Sequence, residues 1–348
     1  MSSPPSGPAD PSEGAAPAPS GSPGPFPSAP TAPVPGLEPP PPAAQDWGAP
    51  GAVQPAAVTS AAGGEPPGAS SVGGEPAWSA WQGLLGLFAW VVGTFVVGSI
   101  VVVAAAAAGL TTIGSDKLPP GILIAATVAG DLVFLAVPLA FAAITARPRL
   151  WHFGLRRARL WPTIGWAVVA LFGWFVFSVT YEALVNPPGK QSTADDLGVN
   201  RSTTLLVTGG FVVIVLAPIV EEFFFRGFIY RTLRNTLVGV AGLRVGIAIA
   251  AVLDGLLFGF IHATNTPIAI LPVLAVLGIA FCLVYERTGS LFAVIALHAT
   301  VNTLGYLGAA KNSAPVALGF GGAMILACIV IPRFIGRETP RHEAAAAA

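Results

Sequence analysis

The stretch TLLVTGGFVVIVLAPIVEEFFFRGFIY, residues 204–230, decides how this chain folds. It is mostly apolar, and it is long enough to cross a bilayer, which takes about 20 residues of helix. It nevertheless carries Glu221, Glu222 and Arg226. A charge at the centre of a bilayer costs at least about 2.5–3.5 kcal/mol, so such residues are rare and usually functional. We therefore interpret this stretch as a membrane-spanning helix that holds a functional site.

The composition of the whole chain is typical of a membrane protein. Of its 348 residues, 53% are hydrophobic and 10% are charged, against about 25% charged in soluble domains. The formal net charge of +0 gives no reason to expect a nucleic-acid partner. Cys282 and Cys328 show no metal-type spacing, and we interpret both as small core residues.

Seven other apolar stretches accompany the first. They lie near residues 84–110, 121–145, 162–185, 245–263, 267–285, 290–308 and 315–332. In lipid every backbone polar group must be satisfied internally, so these stretches predict an all-α bundle of about eight transmembrane helices. Helices four and five are expected to be antiparallel, joined near residues 239–242.

The ends of the chain differ from this apolar region. Residues 1–77 are rich in Pro, Ala, Gly and Ser, with six acidic residues and no lysine or arginine. Such a segment cannot bury enough apolar surface to fold, so we predict a disordered tail. The predicted helical domain covers residues 78–335, and a short tail covers 336–348.

Basic residues indicate the orientation in a cell membrane. With the first tail inside, the inner face carries Arg147, Arg149, Arg156, Arg157, Arg159, Arg226, Arg231, Arg234, Arg244, Arg287, Arg333, Arg337 and Arg341. The outer face carries Lys117, Lys190, Arg201 and Lys311. By the positive-inside rule this bias predicts that both termini are cytoplasmic.

Spacing separates the two glutamates of the first stretch. Glu222 and Arg226 are four residues apart, so they share a helix face and are expected to form an ion pair. Glu221 points about 100° away, because a helix has about 3.6 residues per turn. We therefore expect Glu221 to face a cavity.

Three further polar residues can reach the same membrane layer. Glu221 and His262 lie about twenty residues on either side of the predicted turn, so they reach similar depths. His298 lies about nine residues into helix seven, which requires helices four and five to project beyond the inner surface. Asn302 shares a face with His298, and Phe258 precedes His262 by one turn. A carboxylate, two imidazoles and an amide suit water activation and oxyanion stabilisation, as in amide hydrolysis.

Three ordered motifs carry a family resemblance. They are APIVEEFFFRG at residues 217–227, FGFIH at 258–262 and HATVN at 298–302. This EExxxR, FxxxH and HxxxN set resembles that of the CAAX protease and bacteriocin-processing family, also called the Abi family, over roughly residues 84–332. The family consists of intramembrane endopeptidases.

The resemblance implies a role for each motif residue. Glu221 with His262 would activate the hydrolytic water, and His298 with Asn302 would bind the oxyanion. Glu222, Arg226 and Phe258 would support them. The implied substrate is a peptide or membrane protein at the bilayer, lipidated in the case of prenylated CAAX peptides.

Zinc is an alternative to a metal-free reaction. The family has been described both as metal-dependent and as using a glutamate-activated water, and no cofactor is required in the second case. Glu221, His262 and His298 could in principle supply three zinc ligands. The sequence contains no HExxH motif.

Other polar residues have simpler interpretations. Asp254 could orient His262, although we favour a contact with an arginine or a backbone group. Asp131 is interpreted as a packed polar contact, and His152 as a solvated residue of a cytoplasmic segment.

Two other classes of function compete with an endopeptidase. One is a membrane scaffold or bacteriocin self-immunity factor that keeps the fold without catalysis. The other is a proton-coupled transporter, because buried Glu and His chains also mark proton paths. A transporter would show paired inverted halves, and the sequence shows no such symmetry.

Overall fold

The computed structural model describes residues 78–115, 117–145 and 147–335. The predicted disordered tail, residues 1–77, and the predicted C-terminal tail, residues 336–348, lie outside the described residues.

Eight helices in the described part of the chain are long and apolar enough to cross a membrane. They are α1 (Ala80–Ala107), α2 (Pro120–Thr145), α3 (Leu160–Val185), α4 (Thr203–Ala241), α5 (Leu243–Thr264), α6 (Ile268–Thr288), α7 (Leu291–Ala309) and α8 (Ala314–Arg333). No β-strand occurs among the described residues. The predicted all-α bundle of eight helices is therefore confirmed.

Helix α4 is the longest element and contains two irregular segments. Its 39 residues span about 58 Å at 1.5 Å per residue. Val212–Leu216 and Phe225–Ile229 form π-helical turns. They flank the α-helical segment Ala217–Phe224, which holds Glu221 and Glu222. Each π turn inserts an extra residue into the helix and so re-aims the side chains that follow, a feature frequent at functional sites.

Helix α4 also lies at the centre of the bundle. It contacts α1, α2, α5, α6, α7 and α8. The chain reverses at Gly242, whose φ of 80° favours glycine, and α5 then packs antiparallel against the end of α4. This is the turn that the sequence predicted near residues 239–242.

The backbones of helices α5 and α6 lie very close together where the two helices cross. A Cβ atom placed on Gly255 of α5 would lie 2.7 Å from the carbonyl oxygen of Ala275, on α6. A Cβ on Gly278 of α6 would lie 2.8 Å from the Cα of Gly255. Small residues are what allow membrane helices to approach this closely. The crossing brings the backbone of α6 within reach of side chains from α4.

The outer surface of the bundle is apolar where lipid would contact it. Phe95 of α1 is 75% exposed and Phe172 of α3 is 67% exposed. An apolar surface of this extent is unfavourable in water and suited to acyl chains. The polar side chains described below point inward instead.

Candidate functional site

A buried arginine organises the polar interior of the bundle. The Arg226 Nη1 atom lies 3.1 Å from Glu222 Oε1, and its Nε atom lies 3.5 Å from Asp254 Oδ2. Its Nη2 atom donates to the carbonyl oxygen of Gly278 at 2.9 Å. All three charged side chains are fully buried. The Glu222–Arg226 pair is the one expected from their spacing, and Asp254 makes the arginine contact favoured for it.

Aromatic rings enclose the same guanidinium group. The Arg226 Cζ atom lies 4.5 Å from the ring centroid of Phe258 and 5.0 Å from that of Phe281. A cation over an aromatic face gains about 2 kcal/mol or more when it is desolvated. The rings therefore help to stabilise a charge that lipid alone would not accept.

Cys282 takes part in this network through its thiol. Its Sγ atom donates to Asp254 Oδ2 at 3.0 Å, and the side chain is fully buried. The sequence interpretation as a core residue is confirmed, but the hydrogen bond was missed. A lone cysteine in an apolar stretch carries no signal of a partner 28 residues earlier in the chain.

His298 is held by the second glutamate of the pair. Its Nδ1 atom lies 2.7 Å from Glu222 Oε1, and its ring packs on Phe281 and Phe258 at centroid distances of 5.0 and 5.7 Å. A carboxylate can only accept, so Nδ1 carries the hydrogen of this bond. The Nε2 atom is then the ring nitrogen left to meet another group. Glu222 thus links Arg226 to His298 through one oxygen atom.

His262 is fixed in one tautomer by its own backbone. Its Nδ1 atom lies 2.8 Å from the carbonyl oxygen of Phe258, and a carbonyl oxygen can only accept. The neutral ring therefore carries its hydrogen on Nδ1 and has a lone pair on Nε2. His262 is half-buried, lies in the short 3₁₀ turn Ile261–Thr264 that ends α5, and contacts the Phe258 ring at 5.1 Å. Phe258 consequently contacts both histidines.

Asn302 ties α7 to the first π turn of α4. Its Nδ2 atom donates to the carbonyl oxygen of Val213 at 2.8 Å, and Val213 belongs to the π-helical segment Val212–Leu216. A π turn disturbs the regular helical hydrogen bonds, which makes a carbonyl group there available to a side chain. The Asn302 amide has a second N–H, which this bond does not use.

Glu221 stands apart from the buried ion pairs. Its side chain is half-buried, and its Oε2 atom is shielded from solvent with no hydrogen-bond partner among the described residues. It interacts electrostatically with Asp131 of α2, which is buried and whose Oδ2 atom also has no such partner. The sequence did not reveal this neighbour, because Asp131 lies 90 residues earlier on a helix without a motif.

The structure joins five of the seven predicted site residues in one network around Glu222 and Phe258, and the contacts of Glu221 and Asn302 lie outside it. Polar contacts connect Glu222, Arg226 and His298, and ring contacts bring in His262. Within the described residues, no hydrogen bond joins Glu221 to either histidine.

A zinc site would need at least three candidate ligand side chains close together. Across residues 78–115, 117–145 and 147–335, no group of three or more His, Cys, Asp or Glu side chains is placed to hold a metal ion. Glu221, His262 and His298 therefore do not fit together as a zinc site in this arrangement.

The expectation for His152 was wrong. The side chain is 7% exposed, and its ring lies 4.2 Å from that of Trp151 and 6.4 Å from that of Trp78. Its Nδ1 atom accepts a hydrogen bond from the backbone N–H of Arg149. The segment between α2 and α3 folds back against the bundle, so a residue outside the spans is buried.

Comparison with known proteins gives one family. Residues 203–304 match the family model described as type II CAAX prenyl endopeptidase Rce1-like. The matched segment runs from the start of α4 to α7 and includes all three motifs, which confirms the resemblance seen in the sequence. No match was found among curated proteins or among solved structures.

Proposed function

We propose that this multi-pass membrane protein, whose residues 203–304 match the Rce1-like family of type II CAAX prenyl endopeptidases, hydrolyses a peptide bond with a water molecule activated by Glu221. The proposal is carried by one observation. The Oε1 atom of Glu222 contacts both Arg226 and His298, whereas among the described residues no hydrogen bond or ion pair joins either of them to the adjacent Glu221. The Oε2 atom of each glutamate has no hydrogen-bond partner among the described residues. An acceptor without a partner can take a proton from water.

The proposed reaction begins at the two acceptor atoms. Glu221 removes a proton from water as the hydroxyl oxygen attacks the scissile carbonyl carbon. The lone pair on His262 Nε2, set by the Phe258 carbonyl, accepts a hydrogen bond from the same water and orients it. The C–N bond then breaks, and the proton held by Glu221 passes to the leaving nitrogen.

His298 and Asn302 would stabilise the charge that develops on the carbonyl oxygen. His298 gives its Nδ1 hydrogen to Glu222, so it can donate from Nε2 only as an imidazolium. The second N–H of Asn302 would be the other donor. Removing one such donor typically costs about 10²–10³-fold in kcat.

We propose a metal-free reaction on a substrate at the membrane. In this proposal Glu221 takes the proton of the water and His262 orients it, so the reaction needs no metal ion. The substrate class is a peptide or membrane protein, including lipidated ones, because the family comprises CAAX prenyl endopeptidases.

We also propose that both termini face the cytoplasm. Arg226 and Arg231, which the sequence count placed on the inner face, are buried in the bundle, so they do not contribute to that face. Without them the count of basic residues is still about eleven inside against four outside. Such a bias sets orientation by the positive-inside rule.

The membrane proteome of the source cell provides the direct test. Cells that produce the wild-type protein are compared with cells that produce Glu221→Ala at the same level. We expect new peptide termini, and the matching shortened membrane proteins, only with the wild type. If the Glu221→Ala variant produces the same termini at the same abundance, the proposal is wrong.

The two thiols are expected to be dispensable. Cys282→Ser keeps an O–H that can donate to Asp254, as the thiol does at 3.0 Å, and Cys328→Ser changes a side chain outside the polar network. Both variants should cleave the substrate found in the proteome comparison at nearly the wild-type rate. A large loss in either variant, with folding intact, would point to thiol chemistry instead.

A further inference from the structure

A large cleft opens between α3, α7 and α8, separate from the candidate site. Its volume is about 1230 Å³. Its walls are largely apolar and include Leu171 of α3, Leu297 of α7 and Ile329 of α8. His298 does not line it, because the helix turns about 100° between residues 297 and 298. The cleft therefore lies on a different face of α7 from the proposed catalytic residues.

One end of this cleft is strongly basic. Its lining includes Arg149, Arg156, Arg157, Arg159 and Arg333, and no acidic residue lines it among the residues that the structure describes. Four of them lie in the segment between α2 and α3, and Arg333 ends α8, so all five lie on the side that we propose to be cytoplasmic.

Three of these arginines have no carboxylate partner among the described residues. Arg156 donates from Nε to the carbonyl oxygen of Gly289 at 2.6 Å, so it already has a structural role. Arg157, Arg159 and Arg333 are exposed. In the described part of the chain, no ion pair joins any of these three to a carboxylate. They form a cationic rim at the mouth of the apolar cleft.

We propose that this cleft binds a membrane lipid with an anionic phosphodiester headgroup. The phosphate would lie at Arg157, Arg159 and Arg333, and the acyl chains would lie along the apolar walls of α3 and α8. Basic pockets between transmembrane helices on the cytoplasmic side are suited to such headgroups. A soluble anion would leave the apolar walls uncovered, and a lipid without net charge would leave the cationic rim unpaired.

A lipid in this cleft would contact α7, the helix on which both α3 and α8 pack. Both α3 and α8 pack against α7, and the cleft lies where these three helices meet. A lipid bound there would contact the helix that carries His298 without touching the proposed catalytic residues. We therefore expect it to stabilise the fold.

The test uses full-length protein purified in neutral detergent micelles. Phosphatidylglycerol or phosphatidylcholine is added, binding is measured by native mass spectrometry, and unfolding is followed by tryptophan fluorescence. Phosphatidylglycerol is expected to bind and to raise the unfolding temperature, and phosphatidylcholine is not. The double variant Arg157→Gln/Arg159→Gln should bind phosphatidylglycerol about 25-fold more weakly, since each arginine near an anionic group contributes about fivefold.

The matched control removes two exposed arginines of the same side that do not line the cleft. Arg147→Gln/Arg244→Gln should bind phosphatidylglycerol as the wild type does. Equal loss in both double variants would show non-specific attraction and overturn the proposal. So would inorganic phosphate alone reproducing the rise in unfolding temperature.

A different occupant would also be detected. The acidic segment of residues 1–77 is the competing candidate within the chain. A full-length variant with its six acidic residues replaced by amides should retain the lipid effect. If this variant loses stability without any lipid, and Arg157→Gln/Arg159→Gln causes the same loss, the cleft holds that segment and the lipid assignment is wrong.

Discussion

Replacing Arg226 with alanine is expected to destabilise the protein by about 3–5 kcal/mol, because it leaves buried charges without a partner. The guanidinium group is the contact that Glu222 and Asp254 share, and it also satisfies the Gly278 carbonyl. Equilibrium unfolding in mixed micelles would measure the loss. The variant should accumulate poorly in membranes, and cleavage should fall with the amount of folded protein.

Two further variants identify the cause of that loss. Arg244→Ala removes an exposed arginine and should change the free energy of unfolding by about 0.5 kcal/mol or less. The triple variant Arg226→Met, Glu222→Gln and Asp254→Asn removes all three charges and should regain part of the lost stability, since it leaves no uncompensated buried charge among them. A stable Arg226→Ala variant would contradict the view that this network is a buried structural unit.

The sequence was most informative about features that depend on local spacing. Eight apolar stretches predicted eight helices, because crossing lipid requires a long helix. The four-residue interval between Glu222 and Arg226 predicted their ion pair, and the break between two apolar stretches near residues 239–242 predicted the antiparallel turn. Each of these inferences needs only the geometry of one helix or of two consecutive helices.

Contacts between distant helices could not be obtained in the same way. The family resemblance implied that His298 binds the oxyanion. Nothing in the sequence spacing of His298 showed that its ring would form a hydrogen bond with Glu222. The π turns of α4 have no simple sequence signature, yet they set how the side chains after each turn are aimed. The electrostatic interaction between Asp131 and Glu221 and the hydrogen bond between Cys282 and Asp254 depend on how α2, α5 and α6 rotate against their neighbours. Apolar composition leaves these rotations undetermined.

The predictions for the two tails stay predictions. Residues 1–77 and 336–348 are not among the described residues. The roles of Glu221, His262, His298 and Asn302 also stay predictions, because a family match identifies the motifs and geometry identifies their contacts. What the geometry adds is a difference between two adjacent carboxylates that the motif alone treats as a pair.

That difference predicts opposite effects for two neighbouring substitutions. Glu221→Gln is expected to lower kcat by at least about 10²–10⁴-fold, the usual contribution of a general base. It should leave the unfolding temperature near that of the wild type, because Glu221 Oε2 makes no hydrogen bond with the described protein. Cleavage of the substrate found in membranes and thermal unfolding of the purified protein are the two measurements.

Glu222→Gln should act mainly on stability. It removes the negative charge that Arg226 and His298 share but keeps an oxygen that can accept hydrogen bonds, so we expect a cost of about 1–3 kcal/mol, the range for a buried polar group that loses a partner. The cost should be below that of Arg226→Ala, since Arg226 keeps Asp254 and the Gly278 carbonyl. Some turnover should persist, because the amide oxygen of the new side chain could still accept the Nδ1 hydrogen of His298.

The control for both substitutions is Glu182→Gln, near the end of α3, where the side chain is exposed and outside the site. It should change neither turnover nor the unfolding temperature. If Glu221→Gln lowers stability while turnover per folded molecule is retained, Glu221 is a structural residue and the water must be activated elsewhere. If instead Glu222→Gln abolishes turnover with the fold intact, the two glutamates have exchanged the roles proposed for them, and the base is the carboxylate bound to His298.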